Sequence, residues 1–511
     1  MKKVIALLLT AMLVLTCFAS VLAEDKVTVK INVLDTDKQN NDERYTLLRE
    51  KFNIDFELIA CSLNDVKEKA RIWVAGGDIP DVLWTDFGTA QFGELREWID
   101  SGSFRPIPDL SAYPNLEKVQ GLIQSDDTLI TDGERYFLMI PRDSYQANFS
   151  SYERFVYRKD WAQKLGLYHE DNVYTWEEML AMAKAFVEQD PGENGDGKTI
   201  GLVGVGWSFP AMAGLQQQSP YWNSYAKLED GSYVWGGNLP ETIEGVKMVK
   251  RMHDEGIVWE DHALAQTLDG PSKFQAGQAG ILYHNLMPNN LTNVVNNLCA
   301  ANPGKAAEDM LAVMKVKSPD GSYYVKQTEE YYGTLSFRYD VSDEVVARVL
   351  SMLDYLASEE GRRLLINGVE GKDYQIEADG TITCLWEKDE TGKALSPYAI
   401  NSDRLLSWAM LGEYDLYFSP ATAAPVRAIG QQILEFAKDP NGKIAYYDAD
   451  LAAFSAPNKD KYDIATETRN KILELIVSSE NIEADYIAWT EEVAPKVQLV
   501  LDELNAGLAG K

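Results

Sequence analysis

Apolar residues alternate with polar ones through Val27, Val29, Ile31 and Val33, the period-two pattern of a strand with one buried face. Asn41-Asp42-Glu43 then offers helix-starting side chains, and Tyr45, Leu48 and Phe52 share one face of the helix that follows. Alternation returns at Ile54, Phe56 and Leu58. Leu63 to Ala75 reads as a second helix, stopped by Gly76-Gly77, and Ile79-Pro80-Asp81-Val82-Leu83-Trp84 reads as a buried strand. Strand, helix, strand, helix, strand at this spacing predicts a parallel sheet with crossover helices. In such sheets ligands sit beyond the carboxyl ends of the strands, where Trp84, Thr85 and Asp86 fall.

The pattern changes character near Asp132-Gly133. Tyr136 to Ile140 is an apolar strand bracketed by Gly133 and Pro141, and Phe155 to Trp161 is a strand running into a helix. Thr175 and Glu178 have capping-box spacing ahead of a helix that carries Met179, Met182 and Phe186. Thr242 to Glu255 is helical and closed by Gly256. Later helices start at Ser342, with Val346, Val349, Leu353 and Leu356 on one face, and after Pro425, with Val426, Ile429, Ile433 and Phe436. The last quarter of the chain reads as mostly helical, and no internal repeat is visible.

The first residues are of a different kind. Lys2-Lys3, an apolar run from Val4 to Leu15, and Val21-Leu22-Ala23 ahead of Glu24-Asp25 make a secretory signal, too short to span a bilayer as an anchor. Cleavage after Ala23 fits better than lipidation at Cys17, because Thr16 stands where lipoprotein sites carry a small residue. The chain is therefore expected outside the cytoplasm, released or associated with the cell surface. Loss of Lys2 and Lys3 with the leader takes the net charge from −31 to −33, a surface that repels nucleic acid and anionic lipid. Of four cysteines, Cys61, Cys299 and Cys384 would survive cleavage, an odd and widely spaced set that is no disulfide framework. Only four histidines occur, and no Cys-x-x-Cys or His-x-x-x-His, which argues against zinc.

Two groups of residues carry candidate chemistry. Asp190-Pro-Gly-Glu-Asn-Gly-Asp-Gly-Lys198 places Asp190, Asn194 and Asp196 at alternate positions of a Gly-rich loop, a set of hard oxygens that suits Ca²⁺ and equally suits a plain turn between helix and strand. Trp207, Trp222, Tyr283 and Asn285 sit in polar, turn-rich contexts, and with Trp84 and Asp86 they suit a sugar, whose C–H faces stack on rings while its hydroxyls bond carboxylates and amides. Catalytic signatures are missing: there is no Gly-x-Ser-x-Gly and no phosphate loop, and no carboxylate pair stands out from an acidic background.

Five segments, in order, resemble the extracellular solute-binding proteins of bacterial ABC importers, in the long carbohydrate- and oligosaccharide-binding subgroup. They are Gly77 to Val82, Asp132 to Tyr136 with Ile140-Pro141, Tyr157 to Leu167 with Thr175 to Glu178, Phe274 to Gly280, and Ser358 to Gly361 with Asn367 to Tyr374. The resemblance implies an α/β fold of two lobes, the type II periplasmic-binding-protein architecture, with a hinge and a helical C-terminal region. It divides the chain into the signal (1–23), lobe one (24–142), lobe two (143–325), a return to lobe one (326–400) and a C-terminal region mainly on lobe two (401–511). It implies a carbohydrate held between the lobes by closure and passed to permease subunits by a monomeric, non-enzymatic protein. It also favours a structural Ca²⁺ in the Asp190 loop, although Gly192, Lys198 and Thr199 replace acids or amides of the family pattern. A secreted glycoside hydrolase and a ligand-presenting subunit of a membrane sensor are the competing readings.

Overall fold

Ten strands make two five-stranded sheets, one in each lobe. The first sheet contains β1 (Val27–Leu34), β2 (Ile54–Cys61), β3 (Val82–Thr85), β4 (Leu138–Pro141) and, from much later in the chain, a strand at Tyr331–Phe337. The second contains β5 (Glu153–Arg158), β6 (Val173–Thr175), β7 (Ile200–Gly204), β8 (Ala279–Asn285) and β9 (Leu311–Lys317), which makes Tyr331–Phe337 β10. This computed structural model describes residues 26–34, 42–62, 65–88, 91–123, 130–141, 153–204, 208–217, 221–264, 269–326, 331–378, 382–387, 424–437, 442–445 and 448–508. The signal region with Cys17, and Trp207, lie outside them.

In lobe one the order is β2-β1-β3-β10-β4. β1 pairs in parallel with β2 and β3, as the strand–helix alternation predicts. β10 then runs antiparallel between β3 and β4, so the sheet is mixed, and its fourth position is filled by chain returning from lobe two. The predicted third strand begins at Val82, two residues after Pro80, which has no N–H to give the ladder. Asn32 is fully buried and extends the β1–β3 junction: its amide donates to Trp84 O (2.7 Å) and its oxygen accepts from Trp84 N (2.8 Å). One face of the sheet packs Val29, Ile31, Val33, Val82, Trp84, Leu335 and Phe337 against the helix Asp343–Ala357 through Val346, Val349, Leu350 and Leu353. The other face packs Leu83, Met139 and Phe137 with Phe92, Leu95 and Trp98 of the helix Phe92–Asp100.

In lobe two the order is β6-β9-β5-β8-β7. Thr175 and Glu178 form the capping box their spacing predicts, and the helix they start, Trp176–Gln189, buries Met179, Met182 and Phe186. Phe155, Tyr157, Leu202, Ile281 and Tyr283 of the sheet join that cluster. So do Ile472, Ile476, Tyr486 and Trp489 of the helices Ile464–Ser478 and Ile482–Gly507. The opposite face takes Leu291, Val294 and Leu298, together with Val426, Ile429 and Ile433 of the helix Ala424–Ala437. Among the described residues Cys61, Cys299 and Cys384 are unpaired, and no helix is long and apolar enough to cross a membrane.

Candidate functional site between the lobes

The strand directions show where the lobes meet. Pro141, the last residue of β4, pairs with Tyr331, the first residue of β10, so the chain leaves and re-enters lobe one at the same edge. That edge holds the carboxyl ends of β1, β3 and β4, because these three strands run in one direction. On lobe two, Asn285 at the end of β8 pairs with Glu153 at the start of β5, where the chain arrives. β7 and β9 run parallel to β8, so their carboxyl ends share this side. Both sheets therefore turn their carboxyl ends toward the crossing segments, the place where open α/β sheets hold ligands.

Asp86 follows β3 directly and is half-buried at this edge. Its neighbour Thr85 is buried, with its hydroxyl 2.8 Å from that of Thr334. Trp84, expected as a stacking surface, is instead a core residue: its indole is 1% exposed and packs against the long helix of lobe one. Trp222 and Tyr283 are likewise buried, Tyr283 with its ring 4.6 Å from that of Phe155. Burial pushes the Tyr283 phenol well above its ordinary range, so it stays neutral. The polar neighbours of these aromatics suggested a sugar surface, but the packing of the fold turns the rings into the cores. Asn285 is half-buried at the right edge, and its oxygen accepts from Met287 N at 3.0 Å, shaping the turn into the helix Pro288–Ala301.

A cavity of about 920 Å³ lies between helices of lobe one and the C-terminal segment, and neither Asp86 nor Asn285 lines it. Lobe one contributes Arg71, Glu94, Glu97 and Trp98, and Phe454, Ser455, Lys459 and Asp460 come from the C-terminal segment whose Phe454 packs on the lobe-two core. Arg71 holds Glu94 through two hydrogen bonds of 2.8 and 3.1 Å. Lys459 donates to the carbonyl of Phe454, and burial lowers its pKa. None of these residues stands out in the sequence, since their pattern is that of ordinary amphipathic helices.

A family model for bacterial extracellular solute-binding proteins matches residues 44–312, more than half of the chain. The chain belongs to that family. Among curated relatives, the polygalacturonan/rhamnogalacturonan-binding protein YtcQ of Bacillus subtilis (strain 168) is 27% identical over 324 residues, 62% of this chain and 60% of YtcQ. The alignment thus spans about three fifths of that relative. Among solved structures, an EF-hand mutant of the S. pneumoniae ABC-transporter substrate-binding protein FusA, in complex with fructo-nystose, superposes with a TM-score of 0.62 at 17% identity, covering 94% of this chain and 99% of its own. The alginate-binding protein AlgQ2, solved without calcium ion, gives 0.60 at 16% identity, covering 94% and 97%. These likenesses establish the two-lobe solute-binding fold.

Of those two proteins one is an EF-hand mutant and the other was solved without calcium ion, so the fit of calcium to the Asp190 loop of this solute-binding protein is worth testing. Asp190 caps the helix Trp176–Gln189 in the left-handed region, at φ 41°. Its carboxylate accepts from Asn194 N (3.0 Å), Gly195 N (2.8 Å) and the Thr199 hydroxyl. The Thr199 hydrogen bond, foremost among these, lowers the Asp190 pKa. The Asn194 amide donates to Thr199 Oγ1 (2.9 Å) and Gly277 O (3.1 Å), and Asp196 is exposed. Calcium needs six to eight oxygen ligands. Here Asp190 is committed to three donors, Asn194 faces its partners with its N–H groups, and no cluster of three acidic, histidine or cysteine groups that could hold a metal occurs among the described residues. Alternate spacing places Asp190, Asn194 and Asp196 in one loop, and in this arrangement Asp190 and the Asn194 amide are engaged in hydrogen bonds within the protein.

Proposed function

We propose that this solute-binding protein works outside the cytoplasm, captures a carbohydrate between its lobes and delivers it to the permease of an ABC importer. The main support is topological: the carboxyl ends of both sheets face the crossing segments, with Asp86 on one side and Asn285 on the other. The relative YtcQ, named for binding polygalacturonan and rhamnogalacturonan, supports a saccharide as the ligand class. A carboxylate and an amide at the cleft are suited to sugar hydroxyls, and the charge-assisted bonds of Asp86 would be the stronger. Trp84, Trp222 and Tyr283 are spent on the cores, so the polar groups at the two sheet edges carry the recognition in this reading.

The mechanism in this reading is closure. A ligand that touches both lobes binds the closed form better than the open form and shifts the equilibrium between them. No catalytic step and no metal are needed. A thermal-shift screen of the full chain over neutral and acidic oligosaccharides, polyols and peptides tests it, because a ligand that binds only the folded state raises its melting temperature. A saccharide hit that titrates in calorimetry and yields no new reducing ends is the expected result. Stabilisation by peptides alone would overturn the carbohydrate assignment.

A further inference from the structure

One protein of the same fold is an EF-hand mutant and another was solved without calcium ion, and the Asp190–Thr199 loop is the segment whose spacing suits that ion here, yet its residues build something else. Three independent features point the same way. Gly192 occupies the third place of the loop, and a Cβ added there would lie 2.3 Å from Trp161 Cζ2. Trp161 is 2% exposed and fixed by an edge contact with Phe186 and by the Arg158 guanidinium 4.5 Å above its ring. An oxygen-bearing side chain at the third place is therefore excluded unless the core moves. Thr199 occupies the tenth place, is buried, and spends its hydroxyl hydrogen on Asp190 while accepting from Asn194. Finally, the loop already has a cation: the Lys164 ammonium donates to Pro191 O (3.0 Å) and to a Glu193 carboxylate oxygen (3.0 Å).

We propose that this loop is a metal-independent clamp, in which the Thr199 hydroxyl, the Asn194 amide and the Lys164 ammonium supply the positive hydrogens that a bound cation would otherwise replace, and that it has no site for calcium. The loop joins the helix Trp176–Gln189 to β7, and Asn194 ties it to Gly277 just before β8. The clamp therefore fixes two neighbouring strands of lobe two without depending on the ionic composition outside the cell.

The test uses the full chain, stripped with EGTA and returned to chelator-free buffer. Trp161 lies against the loop, so terbium bound there would be sensitised by its indole. Wild type and Asp190→Asn should give the same terbium luminescence up to roughly 1 mM, the weak end of protein calcium sites. A signal present in wild type and lost in Asp190→Asn would overturn the proposal. So would a calcium-induced rise in melting temperature that Asp190→Asn abolishes; an equal rise in both proteins belongs to the acidic surface and agrees with it. Thr199→Val should lower the melting temperature by at least about 2 °C, equally in EGTA and in calcium, while Thr199→Ser, which keeps the hydroxyl, should restore it. If Thr199→Val melts like wild type, the hydroxyl does not hold the loop and the clamp is wrong. If Thr199→Val does not fold, recovery in Thr199→Ser supports the clamp and failure to recover counts against it.

Discussion

Trp84 and Asp86 are two residues apart and have different fates. Alternation along β3 sends Trp84 into the lobe-one core, where its ring N–H finds no partner, and the chain then leaves the sheet so that Asp86 stands at the edge. Trp84→Ala should therefore lose about 3–5 kcal/mol of folding stability in urea denaturation. Asp86→Ala should weaken saccharide binding about ten- to a hundredfold in calorimetry, the loss of roughly 1.5–3 kcal/mol from charge-assisted hydrogen bonds. Unchanged affinity in Asp86→Ala would move the binding surface elsewhere. Two histidines give a second residue-scale prediction. Burial pushes both His262 and His284 down to about 4, and His253, 3.1 Å from His262, adds to the effect at the first. Between pH 4 and 6.5 the unfolded chain holds protons on these imidazoles that the folded chain does not, so stability rises with pH through this window and falls as pH drops. Each contributes on the order of 3 kcal/mol across it. The denaturation midpoint of His262→Gln/His284→Gln should vary less between pH 4.5 and 7 than that of wild type; identical slopes would show that other groups control acid sensitivity.

At the scale of elements, the helix Trp176–Gln189 shows how much local sequence can fix. Thr175 Oγ1 accepts from Glu178 N at 3.2 Å and Glu178 accepts from Thr175 N at 2.7 Å, so two N–H groups at the helix start are satisfied by the residues whose spacing announced them. Thr175→Ala should cost about 1 kcal/mol, read as a shift of the denaturation midpoint, with ligand affinity unchanged. The helices beginning at Ser342 and near Pro425 were equally legible, because capping residues and a 3.6-residue apolar period are local properties. β10 was not. Tyr331–Phe337 has few periodic cues, and its place between β3 and β4 depends on a partner nearly two hundred residues away.

For the whole molecule the decisive property is that each lobe packs its own clusters on the two faces of its sheet, and the lobes are joined by crossings at one edge. Such a body can hinge. In solution scattering, a saturating saccharide should reduce the radius of gyration, because closure narrows the space between the lobes. Tight binding with an unchanged radius would show that capture does not need closure. The C-terminal helices belong to this scale too: Tyr486 donates to Gly237 O at 2.8 Å, and the chain around Phe454 and Lys459 forms one wall of a cavity against the helices of lobe one.

The sequence by itself determined the strand–helix alternation of lobe one, the caps of the principal helices and, through five ordered motifs, the family and its two-lobe fold. These depend on backbone propensity, on periodicity and on turns that require particular residues, all of which act over a few positions. Tertiary structure alone decided that Trp84, Trp222 and Tyr283 are core, because an aromatic in a polar stretch is placed by what packs against it, which the neighbouring sequence does not show. It also set the hydrogen bonding of the Asp190 loop. The spacing of Asp190, Asn194 and Asp196 allows calcium; in the fold the Trp161 ring leaves no room for a side chain at Gly192, and the Thr199 hydroxyl and Lys164 ammonium donate hydrogen bonds within the loop. Ligand geometry around an ion is a three-dimensional condition, and a linear pattern can permit it without meeting it.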